Sequence, residues 1–188
     1  MLSHEDYTVG WVCALPLEMT VAKGMLDETH SNLSQPTTDD NAYTLGKISG
    51  HNVVIACLPS GVYGITSAAI VVSKMNSTFP RIRFGLMVGI GGGVPCNGTD
   101  IRLGDVVVSK PTRRYSGVVQ YDRGKVTSGG RFEPSGTLNQ PPQVLLTSIA
   151  QLEADQMSGK NHSIVKILSE TQEKIHDAKA ANSGPGRR

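Results

Sequence analysis

The chain has 188 residues, of which 38% are hydrophobic and 18% are charged, and its formal net charge is +2 at pH 7. This composition excludes a disordered chain and predicts a globular domain with a substantial core. The weak and mostly unclustered positive charge excludes a nucleic-acid-binding surface. No apolar run is long enough to span a membrane, and the polar segment Met1–Asp6 is unlike a signal peptide, so we expect a cytoplasmic protein.

The cysteines point to the same compartment. Cys13, Cys57 and Cys96 are odd in number and show no C-x-x-C spacing. Two of them lie inside apolar runs that resemble strands. We therefore expect three reduced thiols, as in an intracellular protein, and no metal site.

Strand and helix patterns alternate through the first half of the chain. Leu17, Val21 and Met25 recur at helical spacing after Pro16, which suits the first turn of a helix. In chain order, the sequence predicts a strand over Tyr7–Ala14, a helix over Pro16–Leu26, a surface loop over Asp27–Asn41, a hairpin of Tyr43–Ile48 and Asn52–Leu58, a helix over Thr66–Asn76 that is buried on most of its surface, and a buried strand over Phe84–Ile90.

The second half of the chain carries weaker patterns. Its predicted elements are a turn and strand over Leu103–Ser109, a hairpin of Gly117–Asp122 and Lys125–Ser128, helices over Pro142–Met157 and Ile164–Ala180, and a flexible tail over residues 181–188. Taken with the first half, this order of elements predicts an α/β fold with a mixed sheet.

A glycine-rich turn ends the predicted strand Phe84–Ile90. Gly89, Gly91, Gly92 and Gly93 fall within five residues. Because glycine has no Cβ, such a turn can adopt positive φ and bring a ligand against bare backbone N–H groups. The spacing differs from dinucleotide and P-loop motifs, so we expect a different small-molecule site at the end of this strand.

Four segments then follow one another in a characteristic order: Val12–Glu18, Pro59–Gly64, Val88–Val94 and Ile101–Ser109. Together they resemble the nucleoside phosphorylase superfamily, which includes purine and uridine phosphorylases and methylthioadenosine/adenosylhomocysteine nucleosidases. The resemblance is strongest over residues 7–130. The residues of these four motifs are most similar to those of the fungal branch, in which this domain often precedes NACHT, ankyrin or tetratricopeptide-repeat regions of NLR-like proteins.

The resemblance implies a three-layer α/β/α fold with a mixed central sheet, phosphorylase/hydrolase-like and incomplete at its C-terminus. It implies one domain over residues 1–180. In the family, a later Met-Glu segment grips the ribose and a Ser-Asp turn protonates the purine, and neither segment occurs in Ser135–Arg188. We therefore expect a catalytically incomplete chain with an open sheet edge.

The family cleaves the bond between a ribose and its base, with phosphate or water as the nucleophile. Several phosphorylases carry an Arg and a Ser where this chain has Met87 and Ile90, which cannot bind phosphate through their side chains. Glu18 matches the carboxylate that orients water in the hydrolytic members, so we expect Glu18 to be catalytic. The alternative is that Glu18 only caps its helix, where the macrodipole favours a carboxylate.

The resemblance also implies a set of substrate-binding residues around the sugar and base. For the loop after the second hairpin strand, an ordinary strand-to-helix turn with Thr66 as N-cap remains an equal alternative, and for Tyr121 the alternative is a half-buried strand aromatic. The implied residues are Ala14, Ser60, Gly61, Val62, Gly89, Ile90, Gly91, Gly92, Val119 and Tyr121.

Three functions follow from these expectations. The first is a nucleosidase-like domain that cleaves purine nucleosides with water. The others are a phosphate-dependent phosphorylase and a non-catalytic nucleoside-sensing module of an NLR-like protein. Each takes a nucleoside as its small-molecule partner, with water or phosphate as co-substrate in the enzymes, and none requires a cofactor, a nucleic acid or a membrane. Assembly into a homo-oligomer is left open.

Overall fold

A computed structural model describes residues 2–94, 100–159 and 164–182 of the chain. The described residues form two compact units. The first unit contains residues 2–92 and 164–182, and the second contains residues 93–94 and 100–159. The last six residues of the predicted tail, 183–188, lie outside the described residues, as does Cys96.

The first unit is built on a five-stranded mixed sheet with strand order β2-β3-β4-β1-β5. In this sheet β1 lies between β4 and β5 and is parallel to both, whereas β3 is antiparallel to β2 and β4. The elements of this unit are a short 3-10 helix over His4–Asp6, β1 over Val9–Cys13, α1 over Pro16–Gly24, β2 over Glu28–Thr29, β3 over Tyr43–Ile48, β4 over His51–Cys57, α2 over Ile65–Thr78, β5 over Phe84–Met87 and α4 over Ile164–Asn182. The second unit contains β6 over Gly124–Val126, β7 over Phe132–Pro134 and α3 over Gln143–Met157.

The structure confirms the predicted alternation of strands and helices in the first unit. The β3–β4 hairpin turns at Ser49 and Gly50, which both have positive φ, at 47° and 86°. Two consecutive residues of this kind match the right-handed twist of the flanking strands, which is why short hairpins favour them. The predicted surface loop contains the two-residue strand β2, which extends the sheet beside β3, and its Asp39 is buried.

Successive residues of β1 and β4 contribute to two different apolar clusters. Val12, Val54 and Ala56 pack with Val71 and Met75 of α2 and with the buried rings of Tyr7 and Phe79. The alternate residues Cys13, Val53 and Ile55 pack with Ala22 of α1 and with Leu26. This period of two is the alternation expected of strands whose both sides are covered.

Two predictions about burial are wrong. Only one face of α2 is buried, through Ser67, Val71, Met75 and Thr78, and Ile65 and Ile70 are exposed. The strand that precedes the glycine-rich turn is not fully buried either. It is shorter than predicted, it lies at the edge of the sheet, and Met87 is 61% exposed. An apolar run cannot tell a central strand from an edge strand, because pairing along the edge uses backbone N–H and C=O groups, which do not depend on the side chain.

Two predicted elements of the second unit are also wrong. Residues Leu103–Ser109 form no strand, and Val106 and Val107 are 66% and 75% exposed. A β-branched run becomes a strand only when a neighbour pairs with it. The predicted hairpin around Arg123 is replaced by one that pairs β6 with β7, because the chain turns instead at Gly130, whose N–H donates to the Thr127 carbonyl.

None of the described helices is both long and apolar enough to cross a membrane. The helix α4 continues to Asn182, two residues beyond its predicted end. It packs against α1, where the Lys174 ammonium donates to the Leu26 carbonyl over 3.0 Å. Gly24 provides the space for this contact, since a Cβ there would lie 2.7 Å from the Ile175 side chain.

A buried carboxylate anchors the loop between β2 and β3. One oxygen of Asp39 accepts hydrogen bonds from the hydroxyls of Thr78 and Tyr43, at 2.5 and 2.7 Å, and the other accepts from the Asn41 N–H at 3.0 Å. Burial raises the pKa of Asp39, but these donors outweigh burial and the net pKa is lowered from its ordinary value of 3.8. The ionised carboxylate therefore stabilises the loop at neutral pH.

We predict that Asp39 contributes stability that disappears in acid. Its pKa is lower in the folded than in the unfolded chain, so its contribution is present above the unfolded pKa and is lost as the pH falls through the folded pKa. Asp39→Asn should lower the free energy of unfolding by about 1–3 kcal/mol at pH 7 and flatten its decline below about pH 4. Urea unfolding at a series of pH values measures both effects.

The neighbouring Asp40→Asn is the matched control. Asp40 is exposed and pairs with the Lys74 ammonium at 2.5 Å, and exposed pairs of this kind contribute little to stability. The control should unfold like the unchanged protein at pH 7. Equal effects of the two substitutions would contradict the role given to Asp39.

Candidate functional site

Three loops of the first unit leave the sheet on the same side, at the carboxyl-terminal ends of the parallel strands β1, β4 and β5. Because β1, β4 and β5 are parallel, the segments that follow them all leave from the same edge. The Leu58 N–H donates to the Cys13 carbonyl at 2.9 Å, and the Val88 N–H donates to the Val12 carbonyl at 3.1 Å. These two bonds continue the sheet pairing into the loops and fix where the three loops begin.

Glu18 connects two of these loops. It is the third residue of α1, which begins at Pro16 directly after β1. Its Oε2 accepts hydrogen bonds from the N–H groups of Ala14 and Leu15, at 2.7 and 2.9 Å. Its Oε1 accepts from the N–H of Ile90, 72 residues further along the chain, at 2.8 Å. The carboxylate thus holds the end of β1 and the glycine-rich turn together.

The Glu18 carboxylate is buried and ionised. Glu18 is only 8% exposed to solvent. Burial raises the pKa of Glu18, but the hydrogen bonds from Ile90, Leu15 and Ala14 lower it further than burial raises it, so the net pKa is lowered. A carboxylate has about four acceptor positions, of which the three N–H groups use three. One position on Oε1 is left beside the glycine-rich turn.

Gly89 is required by Glu18. A Cβ at this position would lie 2.5 Å from Oε1 and 2.9 Å from the carboxyl carbon of Glu18. The glycine therefore allows the close approach of a side chain of the protein itself. The expectation of positive φ in this turn is wrong, since Gly89, Gly91, Gly92 and Gly93 all have φ outside the left-handed region.

Gly91 and Gly92 of the turn lie in open space. A Cβ at Gly91 or Gly92 would meet no atom within 4 Å, and the Ile90 side chain is 72% exposed. Bare backbone is consequently accessible directly beside the Glu18 clamp, by which we mean Glu18 together with Ala14, Leu15 and Ile90. An accessible backbone next to an ionised carboxylate offers both donors and an acceptor to a polar ligand.

The loop after β4 starts at the same edge. Ser60, Gly61 and Val62 form a tight turn in which the Val62 N–H donates to the Pro59 carbonyl at 2.9 Å. All three are exposed, and a Cβ at Gly61 would meet nothing within 4 Å. The expectation that Thr66 is the N-cap of α2 is wrong, because Gly64 occupies the N-cap position.

Two predicted wall residues lie in the second unit. Val119 and Tyr121 are 49% and 84% exposed, and neither belongs to a strand. The structure brings Glu18, Ala14, Gly89 and Ile90 together within the first unit, whereas Val119 and Tyr121 belong to the second unit. Their contribution to a sugar pocket stays a prediction.

Two thiols lie close enough to Glu18 for its charge to raise their pKa, and the sequence pattern alone gave them no place at this site. Cys13 and Cys57 are register partners on β1 and β4, and both are free. Burial, together with the nearby Cys57 and Glu18, raises the pKa of Cys13 to about 11, and burial followed by Glu18 raises the pKa of Cys57. Both thiols are therefore protonated at neutral pH and poor nucleophiles. In the part of the chain that the structure describes, no three His, Cys, Asp or Glu side chains gather as a metal site.

We predict that Gly89→Ala breaks the clamp whereas Gly91→Ala does not. The new methyl at position 89 would displace the Glu18 carboxylate from the Ile90 N–H, at a cost of about 1–3 kcal/mol. The pKa of Glu18 should rise, and the Ile90 amide should exchange with solvent faster. NMR titration and hydrogen exchange measure these two changes.

Gly91→Ala adds the same methyl two residues away, into open space. It should leave the pKa of Glu18 and the exchange of the Ile90 amide unchanged. A normal Glu18 pKa in Gly89→Ala would show that the carboxylate has another way to be held.

Comparison with known proteins identifies one informative relative. A protein of Hyaloscypha variabilis called "Nucleotide-binding leucine-rich repeat (NLR)-like protein" is 54% identical over 170 residues, which cover 90% of this chain and 17% of the relative. The chain therefore spans about a sixth of that protein's length. No protein-family model matches the chain, and no solved structure matches it. The relative's name agrees with the expected association with NLR-like proteins.

Proposed function

We propose that this chain carries a nucleoside-recognition module of an NLR-like protein, and that Glu18 organises its ligand site instead of performing chemistry. The observation that carries the proposal is the Glu18 clamp, in which one ionised carboxylate accepts three backbone N–H groups from two loops. The Glu18 carboxylate holds these two loops together whether or not a ligand is bound.

The lowered pKa of Glu18 favours recognition over catalysis. A general base is most effective when its pKa lies near the operating pH, and the donors on Glu18 move its pKa in the opposite direction. A water molecule beside this carboxylate would be oriented but only weakly activated.

The open backbone around the clamp suits the polar edge of a nucleoside. Gly91 and Gly92 on one loop and Gly61 on another leave room for a ligand to lie against the main chain. Ribose hydroxyls both donate and accept, so they match a surface that combines exposed N–H groups with one remaining acceptor position on Oε1. The choice of a nucleoside depends on the resemblance of the four motifs to the nucleoside phosphorylase superfamily.

We extend the proposal to the fold. The separate packing of α1 and α2 into different apolar clusters supports a three-layer α/β/α arrangement of the phosphorylase kind. In that arrangement β5 would have a further neighbour, whereas in the described residues its outer edge is unpaired.

The relative gives the proposal its biological setting. Its name describes an NLR-like protein, and its sequence is far longer than the part that matches this chain. We propose that the module acts there as a ligand-sensing segment, so that nucleoside binding at the Glu18 clamp is passed on to other parts of an NLR-like protein.

Hydrolysis of a nucleoside is the second candidate function. The observation in its favour is the one acceptor position on Oε1 that the three N–H groups leave free. A water molecule held there would face the open backbone of Gly91 and Gly92, where a ribose could lie. This candidate and the recognition module share the same site, so one experiment separates them.

We predict binding of nucleosides without release of the base. Adenosine, methylthioadenosine, inosine and uridine are mixed with the protein, with and without phosphate, while calorimetry measures binding and chromatography measures free base. Glu18→Gln should weaken binding by at least about tenfold, because the clamp loses a charged acceptor and the two loops separate. The exposed Glu28→Gln is the matched control and should bind like the unchanged protein.

Each alternative result has a definite meaning. Base release that needs no phosphate and disappears in Glu18→Gln would establish hydrolysis and overturn the recognition proposal. Base release that requires phosphate would instead establish a phosphorylase. A folded protein that binds none of the four nucleosides would overturn all three functions.

A further inference from the structure

A partly open cavity in the first unit lies away from the Glu18 clamp. Its volume is about 230 Å³, and it lies between the loop that joins β2 to β3 and the C-terminal end of α2. None of the residues of the Glu18 clamp lines it. The inference drawn from this cavity therefore does not depend on the proposed function.

Hydrogen bonds hold the first part of the loop over the cavity. His4 Nε2 and the Ser34 carbonyl oxygen are 2.8 Å apart. The Tyr7 hydroxyl and His30 Nδ1 are 2.9 Å apart. Both contacts join the loop to the N-terminal segment of the chain, and they fix the first part of the loop in place.

The far end of the loop is fixed to α2. Asp39 is bonded to the Thr78 hydroxyl, and the Asn41 side-chain amide donates to the Val71 carbonyl at 3.0 Å. The Gln35 amide donates within the loop to the carbonyls of Asp39 and Asn41, both at 2.8 Å. Because the loop is held by hydrogen bonds at both ends, it cannot collapse into the cavity that it covers.

The inner wall of the cavity is aromatic. Phe79, which is 2% exposed, lies with its ring centre 5.2 Å from that of Tyr43 and 5.3 Å from that of His4. These two rings and that of Tyr7 cover Phe79, so the half-buried rings of Tyr43 and His4 offer the accessible part of the wall, and planar rings pack well against such surfaces. The wall therefore favours a flat ligand over a branched aliphatic one.

The polar lining favours a neutral ligand. No Lys, Arg, Asp or Glu side chain is among the described residues that line the cavity. The Tyr43 hydroxyl is already bonded to Asp39 and Asn41. In the described structure the side chains of Asn32 and Ser34 have no hydrogen-bond partner, so they are free to bind a ligand's donor or acceptor atoms.

We propose that this cavity is a second small-molecule site, which takes a neutral heteroaromatic ring that bears an amide-like edge. The ring packs against Tyr43 and His4, and its polar edge bonds to Asn32 and Ser34. The volume is below the range of about 300–1,000 Å³ that is typical of drug-sized ligands, so the occupant has one or two rings. A neutral ring is favoured over a charged one because the lining contains no Lys, Arg, Asp or Glu side chain that would pair with a charge.

The test compares two probes that share one ring. Nicotinamide carries a neutral amide where nicotinate carries a carboxylate. NMR titration of the full chain at up to about 10 mM probe should show nicotinamide shifting the Asn32 and Ser34 amides, with nicotinate at least about tenfold weaker. Adenine, as a neutral two-ring probe, should shift the same amides.

Variants locate the bound probe. Ala42 is exposed at the lining and Ala69 is exposed on α2, outside it. Ala42→Leu should fill the cavity and abolish nicotinamide binding, whereas Ala69→Leu should leave it unchanged. Asn32→Ala should weaken nicotinamide binding without altering the melting temperature, and Glu18→Gln should leave nicotinamide binding as it is.

Three outcomes would overturn the inference. The first is that neither nicotinamide nor adenine shifts the two amides at the highest concentration. The second is that nicotinate binds as tightly as nicotinamide. The third is that Ala42→Leu and Asn32→Ala both bind nicotinamide normally while remaining folded.

Discussion

The Glu18 carboxylate is the interaction on which the candidate site depends. Backbone N–H groups at the end of a strand need partners once they leave the sheet, and buried ones are costly to leave unpaired. Glu18 accepts hydrogen bonds from the N–H groups of Ala14 and Leu15, which follow β1 in the chain, and from that of Ile90, which follows β5. One side chain therefore sets the relative position of two loops that are distant in sequence, and Gly89 is small enough to let it do so.

The same device occurs a second time in the first unit. Asp39 is also buried and ionised, and it also accepts three hydrogen bonds, from Thr78, Tyr43 and Asn41. Each carboxylate fixes a segment that has little regular structure of its own. In both places donors in the folded chain outweigh the cost of burying the charge. The loop that Glu18 holds lies beside the first proposed ligand site, at Gly91 and Gly92. The loop that Asp39 holds borders the second proposed site, the cavity next to Phe79.

Sequence patterns were most reliable where each element needed only local information. The spacing of Leu17 and Val21 after Pro16 predicted α1, and the hairpin of β3 and β4 was predicted from its turn residues. Patterns failed where a neighbour decides the outcome. Leu103–Ser109 has the composition of a strand but pairs with nothing in the described structure, and the buried strand expected before the glycine-rich turn is an edge strand.

The sequence by itself determined the alternation of strands and helices in the first unit, because hydrophobic period and turn chemistry are local properties. It also singled out the glycine-rich turn by its residue types, whereas Glu18 was singled out by the resemblance of its segment to the hydrolytic members of the nucleoside phosphorylase superfamily. Only the tertiary structure decided that Glu18 accepts a hydrogen bond from Ile90, that Gly89 makes room for its carboxylate, and that the loop of Asp39 borders a cavity. These facts depend on contacts between residues far apart in the chain, which no local pattern records.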